Sequence, residues 1–127
     1  MSKRVMLVDD SRLVRVQMED VLKGTDYEIA VHCRSGEEAI ERYAEVAPDL
    51  VTMDIIMGGM DGMDAAEIIL KRDPDARIVM ISSLAYGDTF DRAKAIGAKG
   101  FVEKPFHQEQ LVRVFEEALS QPGGALQ

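Results

Sequence analysis

The sequence predicts an α/β fold in which one open, parallel, five-stranded sheet carries helices on both faces. Three observations predict it. Short apolar runs alternate with amphipathic stretches five times over in 127 residues, the pattern of parallel strands joined by right-handed helical crossovers. The first, third and fourth runs (residues 5–8, 50–53 and 78–81) are apolar almost throughout, as strands covered on both faces are. The stretches between them keep apolar residues at helical spacing and stop at glycine or proline.

Val5-Met6-Leu7-Val8 reads as a buried strand that ends in Asp9-Asp10. The helix after it places Val14, Met18, Val21 and Leu22 on one face and stops at Gly24. Residues 27–33 alternate Tyr27, Ile29 and Val31 with Glu28, Ala30 and His32, which predicts an edge strand with one wetter face. Ser35-Gly36-Glu37-Glu38 is a capping box, and its helix carries a stripe of Ile40, Tyr43 and Ala47 until Pro48 blocks continuation. Leu50, Val51 and Met53 form the third strand, with Asp54 at its end. A third helix spans about residues 64–71, before Pro74. The fourth strand ends in Ser82-Ser83, and a helix follows from about Asp88 to Gly97. Gly100-Phe101-Val102 is the fifth strand and leads into Glu103-Lys104-Pro105. The last helix carries Leu111, Phe115, Ala118 and Leu119 on one face and dissolves into SQPGGALQ. Residues 1–120 read as one domain, and 121–127 as a flexible tail or the start of a linker.

Composition narrows the function. An apolar fraction of 46% with 30% charged residues belongs to a globular chain. No apolar run approaches the roughly 20 residues a membrane helix needs, and MSKRVMLVDD meets acid too early for a signal peptide. A net charge of −8 disfavours direct binding to nucleic acid or to an anionic membrane. The single cysteine, Cys33, makes no disulfide framework or zinc cluster, so a reducing cytoplasm is the expected compartment. Cys33 reads as a small buried hydrophobe, His32 and His107 as surface or capping residues, and the eight methionines as core filler. Met57, Met60 and Met63 could instead form a soft contact surface near the site.

In an open parallel sheet, ligands bind outside the carboxyl ends of the strands. There the chain delivers Asp9, Asp10, Asp54, Ser82 and Lys104. One polar strand end is ordinarily a solvated one; all of these on one edge form a site. Crowded carboxylates repel, so a proton or a cation belongs among them. Oxygen donors without histidine or thiol favour a hard ion, and Mg²⁺ suits few carboxylates with retained waters. A carboxylate beside Mg²⁺, faced by a lysine and a hydroxyl, suits phosphoryl transfer onto Asp54. The stretch GGMDG lacks both the GxxxxGK and GxGxxG patterns of nucleotide sites.

The set VDDS (8–11), MDIIM (53–57), MDG (60–62), Ser82 and KPF (104–106) resembles the receiver domain of bacterial response regulators, in its CheY-like single-domain form. The resemblance covers about residues 3–120 and implies a flavodoxin-like (βα)5 sandwich with strand order 2-1-3-4-5. It implies two-component signalling, with Asp54 as phosphoacceptor from a histidine kinase or a phosphotransfer protein. It implies Mg²⁺ held by Asp9, Asp10, Asp54 and the backbone carbonyl of Ile56, with Asp10 the more direct of the acidic pair. Ser82 and Lys104 then contact the phosphoryl oxygens, the Lys104–Pro105 bond is cis, and Phe101 takes the aromatic switch position. A downstream protein would bind the face of the fourth helix, fifth strand and fifth helix. Such a chain is a regulatory phosphoacceptor and catalyses only its own phosphotransfer and dephosphorylation. Chemotaxis is the commonest setting of stand-alone members; SQPGGALQ is equally the place where an output domain would attach.

Two departures from the family matter. Gly58-Gly59 follows Met57 where many members have proline, and Phe101 lacks the hydroxyl of the common tyrosine. Ile56 and Leu84, each two residues past a site residue, are bulky and apolar; they are expected to obstruct the water that hydrolyses the phosphorylated form. Two other functions share parts of the pattern. A Mg²⁺-dependent phosphatase with an aspartyl-phosphate intermediate needs an acid two residues past the nucleophile, where Ile56 stands. A flavodoxin-like electron carrier needs a phosphate loop after the first strand, where Asp9-Asp10 stands, and there is no tryptophan to stack on a flavin.

Overall fold

In the computed structural model, which describes residues 2–83 and 87–121, strands and helices alternate along the chain. They are β1 (Lys3–Val8), α1 (Arg12–Val21), β2 (Tyr27–Cys33), α2 (Gly36–Val46), β3 (Leu50–Asp54), α3 (Gly62–Arg72), β4 (Ile78–Ser82), α4 (Gly87–Ile96), β5 (Gly100–Glu103) and α5 (Gln108–Ser120). The sheet order is β2-β1-β3-β4-β5, and every neighbouring pair is parallel. This is the expected doubly wound sandwich.

The apolar runs are central because both faces are covered. On one face α1 and α5 bring Val14, Met18, Leu111 and Phe115 against Val5, Leu7, Leu50, Val79 and Ile81. On the other, Ala39, Met63, Ala66, Ile69 and Ala93 pack on Met6, Val8, Val51, Met53 and Met80. All positions of β3 and β4 are buried, including Asp54 and Ser82 at their ends.

The helix stops follow the expected chemistry. Gly24 and Gly97 take φ of +78° and +100°, the left-handed region that glycine enters without steric cost. At α2 the Glu38 N–H donates to Ser35 Oγ at 3.0 Å, while Glu38 Oε1 accepts from the Arg34 N–H at 2.9 Å. The return arm of the box thus reaches one residue before the cap.

Two expectations about packing are corrected. Ala47 is exposed and does not belong to the α2 stripe; it is the left-handed C-cap (φ +48°), and Val46 and Ala39 are buried in its place. In β2 the alternation breaks, because the register with β1 shifts between Val5 and Met6, so that Ile29 faces Val5 while Val31 faces Met6. Ala30 is the extra residue. One added residue exchanges the faces of everything after it. Tyr27 and Ile29 join the α1/α5 side, whereas Val31 and Cys33 join the α2/α3 side. Residues 122–127, most of the expected tail or linker, lie outside the described residues.

Candidate functional site

The site forms where β1, β3, β4 and β5 end at one edge of the sheet. Asp9 follows β1 and is 2% exposed. Its N–H donates to the Cys33 carbonyl at 3.0 Å, and its Oδ1 accepts the Ser11 N–H at 2.9 Å. Asp10 is exposed, and its Oδ2 accepts the Gly58 N–H at 3.3 Å. A proline at position 58 has no such hydrogen to give. Asp54, the last residue of β3, is 7% exposed. Carboxylate oxygens of Asp9, Asp10 and Asp54 all lie within 4.8 Å of one another.

Lys104 supplies the opposing charge. Its N–H donates to the Ser82 carbonyl at 2.8 Å, tying the end of β5 to the end of β4. Its Nζ stands 3.1 Å from Asp9 Oδ2 and 3.4 Å from Asp54 Oδ1. The Lys104–Pro105 bond is cis, as expected. Burial and the Asp9 charge push the Asp54 carboxyl up to about 6, against the opposing pull of Lys104. Burial alone would weaken the Lys104 ammonium, but Asp54 and Asp9 outweigh it and leave its pKa raised. An oxygen-only set of three carboxylates, with oxygens within 4.8 Å of one another, matches the donor chemistry of a hard divalent cation.

Ser82 is 2% exposed and adjoins Ile81, the β4 residue paired with Asp54. Ile56, in the loop after β3, is 63% exposed. The other half of the expected water gate, Leu84, lies outside the described residues. Phe101 is half-buried on β5 and meets Phe90 of α4 edge-on, with ring centroids 5.8 Å apart. Cys33 is fully buried, and burial together with the nearby Glu38 pushes its thiol up to about 11, so it packs as an inert side chain. Met57 and Met63 are buried and Met60 packs against the same cluster, which makes them core and not a soft contact surface. His107 is the N-cap residue of α5, without a side-chain capping bond.

Two residues near the site have roles that the sequence did not reveal. The MDG motif shows no reason for its glycine, yet a Cβ on Gly62 would collide with the Asp54 carbonyl. The Gly62 N–H also donates to the Ile55 carbonyl at 2.8 Å, closing the loop that carries Asp54 into α3. His32 is neither a free surface residue nor a cap, for its Nε2 lies 2.7 Å from the Asp9 carbonyl oxygen. A polar side chain at the end of an edge strand was the available signal.

A family model for the response regulator receiver domain matches residues 5–116. The chain belongs to this family. The receiver domain is 39% identical over 117 residues to the chemotaxis protein CheY of Thermotoga maritima, covering 92% of this chain and 98% of that protein. Its identity to the chemotaxis protein CheY of Bacillus subtilis is 36% over 120 residues, 94% of this chain and all (100%) of that protein. Among solved structures, the CheX-CheY-BeF3-Mg+2 complex from Borrelia burgdorferi aligns with a TM-score of 0.88 at 29% identity, covering 94% of this chain and 90% of that chain. The receiver is thus CheY-like in sequence and in its flavodoxin-like strand order. Among its described residues, no helix is long and apolar enough to cross a membrane.

Proposed function

We propose that this receiver domain, residues 1–120, is a two-component response regulator that takes a phosphoryl group on Asp54. The observation that carries this reading is the setting of Asp54: nearly buried, 3.4 Å from the Lys104 ammonium, and crowded by two further carboxylates. The donor is the phosphohistidine of a histidine kinase or phosphotransfer protein. The Asp54 carboxylate attacks phosphorus in line, the N–P bond breaks, and an O–P bond to Asp54 forms. Asp10, Asp9, Asp54 and the Ile56 carbonyl would hold Mg²⁺, which would supply positive charge to offset that on the transferring oxygens. Lys104 leaves its ion pair with Asp54 to pair with a phosphoryl oxygen, and the Ser82 hydroxyl donates to another.

The output follows from that charge. The Lys104 N–H is bonded to the Ser82 carbonyl, and Phe101 lies on β5, the strand that leads into Lys104, against Phe90. Phosphorylation biases two packings of Phe101 and α4, and a downstream protein reads the face of α4, β5 and α5. The domain acts in the cytoplasm as a regulator and binds neither nucleic acid nor membrane itself. Chemotaxis is the setting named for its relatives of similar length. The test is to incubate the protein with a small phosphodonor and Mg²⁺ and measure intact mass. One hydroxylamine-labile phosphoryl group per chain is expected, and none on Asp54→Asn. Equal labelling of the variant rejects Asp54 as the acceptor.

A further inference from the structure

Asp9 and Asp10 are held very differently. The side chain of Asp9 is fixed by Ser11 and Lys104, while that of Asp10 is exposed and meets the Gly58 N–H at 3.3 Å, longer than the usual range for such a bond. What orients Asp10 is therefore the backbone that delivers it. That backbone is gripped from both sides by the end of β2. The Asp9 N–H donates to the Cys33 carbonyl at 3.0 Å, and the Asp9 carbonyl lies 2.7 Å from His32 Nε2. A carbonyl only accepts, so Nε2 carries the hydrogen. The Asp9 carbonyl and the Asp10 N–H share one rigid peptide plane. Fixing the first sets the direction in which the chain leaves toward the Asp10 carboxylate.

The register shift at Ala30 makes this contact possible. In unbroken alternation His32 would share the face of Glu28 and Ala30; the extra residue turns it to the side of Tyr27 and Ile29, over which α1 packs. There it is half-buried beside the loop that joins β1 to α1.

We propose that His32 is a positioning residue for the acidic pair: its hydrogen bond to the Asp9 carbonyl sets the Asp9–Asp10 peptide so that the Asp10 carboxylate meets those of Asp9 and Asp54. The proposal rests on the Mg²⁺ reading given above. Groups that orient metal ligands from behind commonly alter affinity by about 10- to 100-fold when removed. For one neutral bond to a backbone carbonyl, a fall of roughly threefold to tenfold is expected.

The test is an NMR titration of the full chain with Mg²⁺, comparing wild type, His32→Phe and His32→Gln. Phenylalanine keeps the bulk without the donor; glutamine places an amide nitrogen at the same number of bonds from Cβ. His32→Phe should weaken Mg²⁺ binding by that factor and move the Asp10 amide signal of the metal-free protein, with an unchanged circular dichroism spectrum. His32→Gln should recover most of both. Wild-type affinity and an unmoved Asp10 signal in His32→Phe, or a His32→Gln no better than His32→Phe, would overturn the proposal. Failure of the wild type to bind Mg²⁺ would instead reject the metal reading, and the metal-free Asp10 signal would then decide the positioning role by itself.

Discussion

Lys104 Nζ stands 3.4 Å from Asp54 Oδ1, so the buried acid at the end of β3 already has a cation against it before any ligand arrives. Lys104 holds down a carboxyl that burial and Asp9 raise to about 6. Lys104→Ala should therefore move the Asp54 titration midpoint of the metal-free protein above that value, as read by side-chain carboxyl ¹³C shifts. Mg²⁺ affinity should not fall, since a competing cation has been removed, whereas the response of the partner-binding face to phosphorylation should be lost. A midpoint that stays or falls would show that the lysine does not act on Asp54.

The same raised pKa has a consequence for stability. A carboxyl at 3.8 when unfolded and about 6 when folded binds its proton more tightly in the native state. Its contribution is a penalty that is absent below about pH 4, grows as pH rises, and is complete above about pH 6. The full effect corresponds to ~3 kcal/mol. Asp54→Asn, which cannot ionise, should thus be more stable than wild type in urea with chelator at neutral pH, by ~1–3 kcal/mol. The advantage should shrink toward zero as pH falls to about 4. A difference that does not vary with pH would remove burial of the ionised group as its cause.

The acidic pair should divide its labour. Asp10 is exposed and loosely bonded, so Asp10→Ala should lower Mg²⁺ affinity by roughly tenfold or more with little loss of stability. Asp9 is buried and joins Ser11 to Lys104, so Asp9→Ala should cost both fold stability and a smaller part of the affinity. Isothermal titration and urea melts on the two variants check this; a metal-binding loss confined to Asp9→Ala would reverse the assignment.

Gly62 should tolerate no side chain. A methyl group there meets the carbonyl of Asp54, and that backbone is pinned in the sheet by the bond from the Ile55 N–H to Ile81 at 3.1 Å. Gly62→Ala should destabilise the fold by about 2 kcal/mol or more and weaken Mg²⁺ binding by displacing Asp54. A urea midpoint equal to wild type would mean that the loop yields freely.

The sequence by itself determined the elements and the edge at which they deliver chemistry. The runs ending in Asp9, Asp54, Ser82 and Glu103 form strands in their expected places, and Gly24, Gly97 and the box at Ser35 act where they stand. Those signals are local: apolar period, a capping oxygen, a left-handed glycine. They become readable within a few residues of chain. The strand order came from resemblance to a family, since alternation alone does not say which strands are neighbours.

What only the tertiary structure decided depends on atoms far apart in the chain. The face of β2 changes at Ala30 because hydrogen bonding to β1 skips a residue, and nothing in the run of residues 27–33 reveals its partner's register. Gly62 is needed because the carbonyl of Asp54 lies against it. Ala47 leaves the stripe because α2 ends in a left-handed cap, which aims the chain back toward β3. His32 meets Asp9, 23 residues away, because one extra residue turned the strand. A sequence records which side chains a strand presents; the hydrogen bonds between strands decide what those side chains face.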